Sequence, residues 1–377
     1  MSNSARIPVS EPDIREEEVR EVLSALRSGW ISSAGPQLTE FESRWAEYCG
    51  RRHGVAVSSG TTALELIIAG LGLAAGDEVI MPTFTIISCA LAVVRAGATP
   101  VLIDADPLTW CLDAALVEAR ITSRTRAIMV VHMYGHPCDM AGLSAIAERH
   151  GIALVEDAAE AHGAECRVHG EWKRCGSFGM ASAFSFYANK LVTTGEGGMI
   201  VTDDDAIAER MRSQRNLAFR TDRRFLHTEL GHQYRLTNLQ AALALPQIGR
   251  LAETITRKRA IGAAYSARLG EMEFVELQAE QPWARSVFWM FGLVLHDEHP
   301  LDAASLAQRL DAAGVETRPF FLGMHEQPAL QALGLFENER YPVSERLARR
   351  GLYLPSSVTL THADIDRVCT AVTEALQ

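Results

Sequence analysis

The chain has 377 residues, 47% of them hydrophobic and 22% charged. That composition provides for two or three structural units around a large core and excludes general disorder. Lys plus Arg number 36 against 47 Asp plus Glu, a net charge of −11, which argues against non-specific binding to nucleic acid or an anionic membrane but leaves room for a local basic pocket.

No apolar run reaches the ~18–20 residues of a bilayer span, the longest being broken by Glu65 and Arg95. The opening MSNSARIPVSEPDIREEE has no hydrophobic stretch of a secretory signal. The seven cysteines (49, 89, 111, 138, 166, 175 and 369) are scattered without a CxxC pair, so neither a disulfide framework nor a zinc ribbon is expected. The expectation is a reduced, cytoplasmic protein.

Short apolar, β-branched runs recur at 55–57, 78–81, 100–103, 127–131, 152–156, 181–186 and 199–202. Most are continuously apolar, as strands covered on both faces are. Amphipathic helical stretches stand among them at 61–71, 113–121, 140–150 and 205–215. This alternation predicts an α/β fold with a mainly parallel sheet and helices on both faces. From about residue 238 the texture changes. Residues 239–269 read as one long helix that Pro246 should kink or interrupt. Strand-like pieces at 288–295 and 317–321 follow, with helices at 303–313, 343–350 and 363–376. Residues 1–245 are expected to form a large α/β domain and 246–377 a smaller α+β domain, with the segment 1–35 packing on the active site or the small domain.

Four motifs carry chemistry. Ser58-Ser59-Gly60-Thr61-Thr62 turns a strand into a helix, which presents free N–H groups and hydroxyls suited to a phosphate; an ordinary N-cap is the alternative. The glycines of 70–76 follow a helix rather than a strand, which is the wrong place for a dinucleotide loop and discounts a nicotinamide cofactor. Val155-Glu156-Asp157-Ala158-Ala159-Glu160-Ala161-His162 ends a strand in carboxylates, where open α/β sheets bind ligands. His132 and His136 lack the helical HExxH context, since His132 closes a strand and His136 precedes Pro137, which argues against zinc. Lys190 stands just past an apolar strand and before the glycine-rich 193–199. A desolvated lysine there favours its free amine, as attack on a carbonyl requires; a snorkelling surface lysine is the alternative. Together, a phosphate turn, an acid and a lysine in this order on one parallel sheet match the needs of pyridoxal 5'-phosphate.

Beyond these motifs, nearly the whole chain resembles the DegT/DnrJ/EryC1/StrS family of fold-type I pyridoxal-phosphate aminotransferases. The resemblance runs through SGWISSAGPQLTEFE, SSGTTALEL, EVIMPTFTIIS, VHMYGHPCDM, VEDAAEAHGA, GSFGMASAFSFYANKLVTTGEGGM, YRLTNLQAAL, ETRPFFLGMHEQP and RGLYLPSS. Within the family it is to perosamine-synthase-like enzymes. It implies a seven-stranded, mainly parallel sheet, and it implies residue roles. Lys190 matches the lysine that bonds the cofactor's aldehyde carbon, and Asp157 the acid opposite its ring nitrogen. Gly60, Thr61 and Ser185 match phosphate contacts. Glu160 matches a position beside the ring, and His162 lies close to the same site. Two positions depart from the family: Ile86 replaces a stacking aromatic, and Gln233 replaces an Asn that reaches the phosphate in the neighbouring subunit.

The resemblance implies amino transfer from L-glutamate, leaving 2-oxoglutarate, to a nucleotide-linked keto sugar. The expected acceptor is a GDP-linked 4-keto-6-deoxyhexose aminated at C4, for a surface glycan such as O-antigen or a natural product; a UDP- or dTDP-linked sugar is the alternative. Trp30, Ser32, Arg318, Phe320, Phe321 and His325 are the candidate substrate contacts, and a homodimer with shared active sites the expected assembly. A reading of another class is a pyridoxal-phosphate-binding regulator without turnover.

Overall fold

The computed structural model describes residues 6–220 and 222–377. In chain order the elements are α1 (Glu16–Ser28), α2 (Pro36–Cys49), β1 (His53–Val57), α3 (Gly60–Gly70), β2 (Glu78–Pro82), α4 (Ser88–Arg95), β3 (Thr99–Ile103), α5 (Ala114–Val117), β4 (Thr125–Val131), α6 (Met140–His150) and β5 (Ala153–Asp157). They continue with β6 (Glu165–Val168), β7 (Glu171–Arg174), β8 (Ala181–Ser185), β9 (Gly198–Thr202), α7 (Asp205–Gln214), α8 (Asn238–Gly249) and α9 (Leu251–Leu269). The last third comprises β10 (Val275–Leu277), β11 (Ala284–Arg285), β12 (Phe291–Leu295), α10 (Ala303–Ala312), β13 (Arg318–Pro319), α11 (Pro328–Gln331), α12 (Pro342–Arg350), β14 (Gly351–Leu354) and α13 (His362–Ala375).

The seven-stranded sheet has the order β1-β9-β8-β5-β4-β2-β3. Only β9 runs against the rest. All seven apolar runs read from the sequence are its strands, because β2 and β9 are buried at every position and β4 at all but one. This is the α/β fold the alternation predicts. The parallel strands β1, β8, β5, β4 and β2 end along one edge, and the turns after them build the site.

A second, four-stranded antiparallel sheet has the order β10-β12-β14-β13. It shares a separate hydrophobic cluster with α9, α10 and α13, including Tyr265, Leu293, Leu306 and Val368. Ile7 joins that cluster and bridges Val315 in parallel, while the Val9 N–H donates to Glu316 Oε2 at 3.0 Å. Ile7 and Val9 thus meet the chain just before β13, and α1 packs on α8.

Three local readings change. Pro246 lies inside α8, and the long helix breaks instead after Gly249. Glycine is the poorest helix former there after proline, and Arg250 turns away to pair with Glu18 and the Asp13 carbonyl. The strand expected from 288 starts at Phe291, since Phe288 takes a left-handed φ of 47°. The hairpin β6–β7, joined by β11 into a three-stranded sheet, had no counterpart in the sequence reading, because its exposed faces carry charged residues rather than an apolar run.

Candidate active site

A cavity of about 360 Å³ opens over the carboxyl edge of the large sheet. Its floor comes from the turns after β1, β5 and β8. Trp289, Phe321 and Tyr353 close it from the C-terminal third of the chain. The volume is that of an ordinary small-molecule site.

The turn after β1 is a cradle. Ser59 caps α3 by accepting the Thr62 N–H at 3.1 Å, and the Thr62 side chain returns the bond to the Ser59 N–H at 3.0 Å. Gly60 and Thr61 therefore start the helix with their N–H groups free of intrahelical partners and at its positive end. A Cβ on Gly60 would come within 2.8 Å of Ser185 Cβ, so only glycine lets α3 approach the end of β8. Thr61 Oγ1 lies 2.8 Å from Ser88 Oγ, which brings the start of α4 to the same cradle.

Lys190 stands in the loop joining the antiparallel pair β8–β9. The Lys190 N–H donates to the Tyr187 carbonyl at 2.9 Å, and the Thr194 N–H closes the loop on the Phe186 carbonyl, also at 2.9 Å. Its Nζ lies 3.5 Å from the centroid of the Trp289 ring and 4.0 Å from Glu160 Oε1. Trp289 is held in turn by donating Nε1–H to the Asn189 carbonyl at 2.9 Å. Burial lowers the Lys190 pKa, while Glu160 and Asp157 pull it back up.

Asp157 ends β5 and is 3% exposed. Its Oδ1 accepts the Ala159 N–H at 3.0 Å, and Cys89 Sγ lies 3.2 Å from Oδ2. Burial raises its pKa, against the pull of both hydrogen bonds and of the Lys190 charge. Glu160 accepts the Tyr134 N–H at 2.7 Å, and burial lifts its pKa to about 7.

Gly60, Thr61, Ile86, Asp157, Glu160, Ser185 and Lys190 all line the one cavity. His162 does not. Its ring packs edge-on against Trp45 at 4.9 Å and beside Phe184 and Phe186, and burial drives its pKa down to about 3. The ring lies behind the cavity, where burial favours its neutral form. Its buried Nε2 has no hydrogen-bond partner among the described residues.

Phe320 and His325 are corrections as well. Phe320 is buried between Trp110, Tyr134 and Phe84, and its neighbour Phe321 faces the cavity instead. His325 is spent on Thr83 Oγ1 at 2.9 Å and Glu345 Oε1 at 3.3 Å, so neither ring nitrogen is left for a ligand. Arg318 is exposed, pairs with Glu316 at 2.6 Å and sits opposite Tyr353 in the sheet register. Trp30, Ser32 and Gln233 lie outside the cavity of their own chain and are exposed. The carbonyls of Trp30 and Ser32 accept hydrogen bonds from Asn238, at 2.8 Å and 2.6 Å.

The sequence reading missed Trp289, Tyr353, Asn189 and Ser88. Trp289, just before β12, and Tyr353, on β14, come from the C-terminal third, and no spacing in the chain says that they share a cavity with Lys190. Asn189 carried a signal, as a polar residue beside the key lysine; its Oδ1 is buried and unpartnered among the described residues.

The model of the DegT/DnrJ/EryC1/StrS aminotransferase family matches residues 12–373. The chain is 41% identical to GDP-perosamine synthase of Caulobacter vibrioides over 100% of both chains. It is also 41% identical, over 91% of each chain, to the erythromycin biosynthesis sensory transduction protein EryC1 of Saccharopolyspora erythraea. Among solved structures it is similar to S. venezuelae DesV in complex with a ketimine intermediate, with a TM-score of 0.91 and 36% identity over 99% of each chain. With lysine, acid and helix-start cradle on one sheet edge and a match over nearly its whole length, the chain belongs to the DegT/DnrJ/EryC1/StrS aminotransferase family.

Proposed function

We propose that the chain binds pyridoxal 5'-phosphate in the cavity over β1, β5 and β8 and transfers an amino group from L-glutamate to a nucleotide-linked keto sugar. The acceptor is a GDP-linked 4-keto-6-deoxyhexose, aminated at C4. The observation that carries the reading is the buried Lys190 Nζ, 3.5 Å from the Trp289 ring centroid and 4.0 Å from Glu160, in one cavity with Asp157 and the Gly60–Ser185 cradle. The residues fit the cofactor: an anion cradle only glycine can form, a buried carboxylate at the end of β5, and an amine with a depressed pKa.

Bound there, pyridoxal phosphate supplies an aldehyde for covalent attachment and a ring that accepts electrons. Gly60, Thr61 and Ser185 hold its phosphate. Asp157 keeps a proton on the ring nitrogen. Ile86 packs against the ring and gives up the stacking contribution of an aromatic, about 0.5–1.5 kcal/mol. The Lys190 amine would take the proton from the donor's Cα and return it to the cofactor's former aldehyde carbon, across the nitrogen between them, as base and then acid. The low exposure of the lysine, 9%, keeps water from competing for that proton.

The identity to a named GDP-perosamine synthase supports the sugar class. The test is a transamination assay with GDP-, UDP- and dTDP-linked keto sugars, read by mass spectrometry. Amination of a UDP- or dTDP-linked sugar alone would replace the GDP assignment. A regulator without turnover would hold the cofactor yet form no 2-oxoglutarate from glutamate.

The active sites are shared in a homodimer. Val19, Leu23 and Leu26 form an exposed apolar stripe on α1, and Trp30, Phe225 and Leu230 are exposed nearby in sequence or on the loop before Gln233. Burial of that surface would bring Trp30, Ser32 and Gln233 to the partner's cavity. Sedimentation at micromolar concentration should return twice the chain mass. A compartment that keeps the seven free, buried cysteines reduced suits the chain, and among the described residues no helix is long and apolar enough to cross a membrane.

Glu160 sets the pH dependence of attachment. Its ionised form, present above about pH 7, holds a proton on Lys190. Glu160→Gln removes that pull, so the free amine appears at lower pH. The rate of cofactor attachment to the apoprotein, followed by absorbance, is expected to rise with pH at a lower midpoint than in the wild type. An unmoved midpoint would remove Glu160 from this role.

A further inference from the structure

Thr85, Cys89 and Asp157 form a buried line of polar atoms for which the mechanism above has no use beyond its last member. Cys89 Sγ lies 3.2 Å from Asp157 Oδ2, and Thr85 Oγ1 lies 3.5 Å from Cys89 Sγ. The three side chains belong to residues only 1%, 0% and 3% exposed. The direction of the bonds follows from the chemistry of the groups. An ionised carboxylate has no proton to give, so the thiol donates to Oδ2, and the sulfur is then free to accept the Thr85 hydroxyl.

The location gives the line its meaning. Cys89 is in the first turn of α4, one residue after Ser88, which meets Thr61 at the phosphate cradle, and three after Ile86 on the cavity wall. One short stretch of chain thus reaches the cradle, the ring wall and the back of the carboxylate. Packing alone would be met by alanine or valine at 89. Either would leave Oδ2 buried without this donor, at the cost of an unsatisfied charged acceptor. Lys190 and His132 are the cationic or titratable groups that also bear on Asp157, and both act through charge rather than through Oδ2. A thiol is a weak donor. It orients the carboxylate while leaving most of the negative charge available to the group opposite.

We propose that Cys89, backed by Thr85, is a positioning residue that keeps Asp157 ionised and aimed at the cofactor's ring nitrogen. The inference rests on the role proposed for Asp157, and two separate measurements distinguish their failures. In the apoprotein, an infrared difference spectrum between wild type and Cys89→Ala isolates the Cys89 S–H stretch. The band is expected below the frequency of a free thiol and should move up in Asp157→Asn, where the acceptor is neutral. A band at the free-thiol position overturns the proposal whatever Asp157 does.

Titrating apoprotein with pyridoxal phosphate gives the second measurement. Cys89→Ala should weaken binding about tenfold, the low end for a hydrogen bond to a charged group. Cys89→Ser, which keeps a donor, should restore most of it. Equal losses in the two variants would mean that the residue only fills space, and that overturns the proposal. Should Cys89→Ala fail to fold, the serine variant against wild type and the S–H band of the wild type still decide. If Asp157→Asn binds the cofactor as tightly as wild type, the reading of Asp157 fails, whereas the S–H band still reports on the relay itself.

Discussion

Lys190→Ala should lose amino transfer by at least about 10²–10⁴-fold, the share that a positioned acid–base group contributes, and covalent attachment of the cofactor should vanish with it. Borohydride reduction of wild-type holoprotein followed by peptide mapping should mark position 190, and the variant should carry no mark. The side chain is suited to a clean test. Its Nζ rests on the Trp289 ring at 3.5 Å and lies 4.0 Å from Glu160, so its removal breaks no short hydrogen bond at the amine. Glu160, with a pKa already near 7, can take up a proton in place of the lost cation. Lys190→Arg sharpens the result. It keeps the positive charge but cannot give up its proton at any working pH, and it should be as inactive as the alanine variant. Turnover in either variant near the wild-type rate would end the mechanism.

Asp157→Asn should slow the release of the donor's Cα proton by about 10²–10³-fold, the usual loss when one preorganised electrostatic group is removed. Exchange of that proton with solvent deuterium, with glutamate as the only substrate, reads the step directly. The same substitution should stabilise the apoprotein at pH 8. Burial raises the Asp157 pKa above the ordinary aspartate value, so the folded chain binds this proton more tightly than the unfolded chain does. Stability from this group is therefore lost as pH rises from the unfolded value through the folded one, and above it the apoprotein bears the full cost of a buried anion. Asparagine has no such cost. A higher melting temperature with poorer catalysis is the expected pair of outcomes; a lower melting temperature would show that the carboxylate already has its counter-charge without a cofactor.

Sequence by itself determined the sheet and the edge on which the candidate groups lie. Most of its strands appear as uninterrupted apolar runs because they are covered on both faces, and the residues after β1, β5 and β8 had to lie on one edge because those strands are parallel. Gly60, Asp157 and Lys190 were legible for that reason, and Ser185 through the resemblance to the family. Tertiary structure alone decided the rest. Tyr353, on a strand of a separate sheet, and Trp289 and Phe321, in loops beside that sheet's strands, line one cavity with Lys190, and no local periodicity encodes where such elements meet. It also moved His162, Phe320 and His325 out of the site, since a polar or aromatic residue beside a motif looks the same in sequence whether its side chain faces the cavity or the core. The physical reason is range: backbone pattern is set by neighbours a few residues apart, while a side chain's solvent and partners are set by contacts across the whole chain.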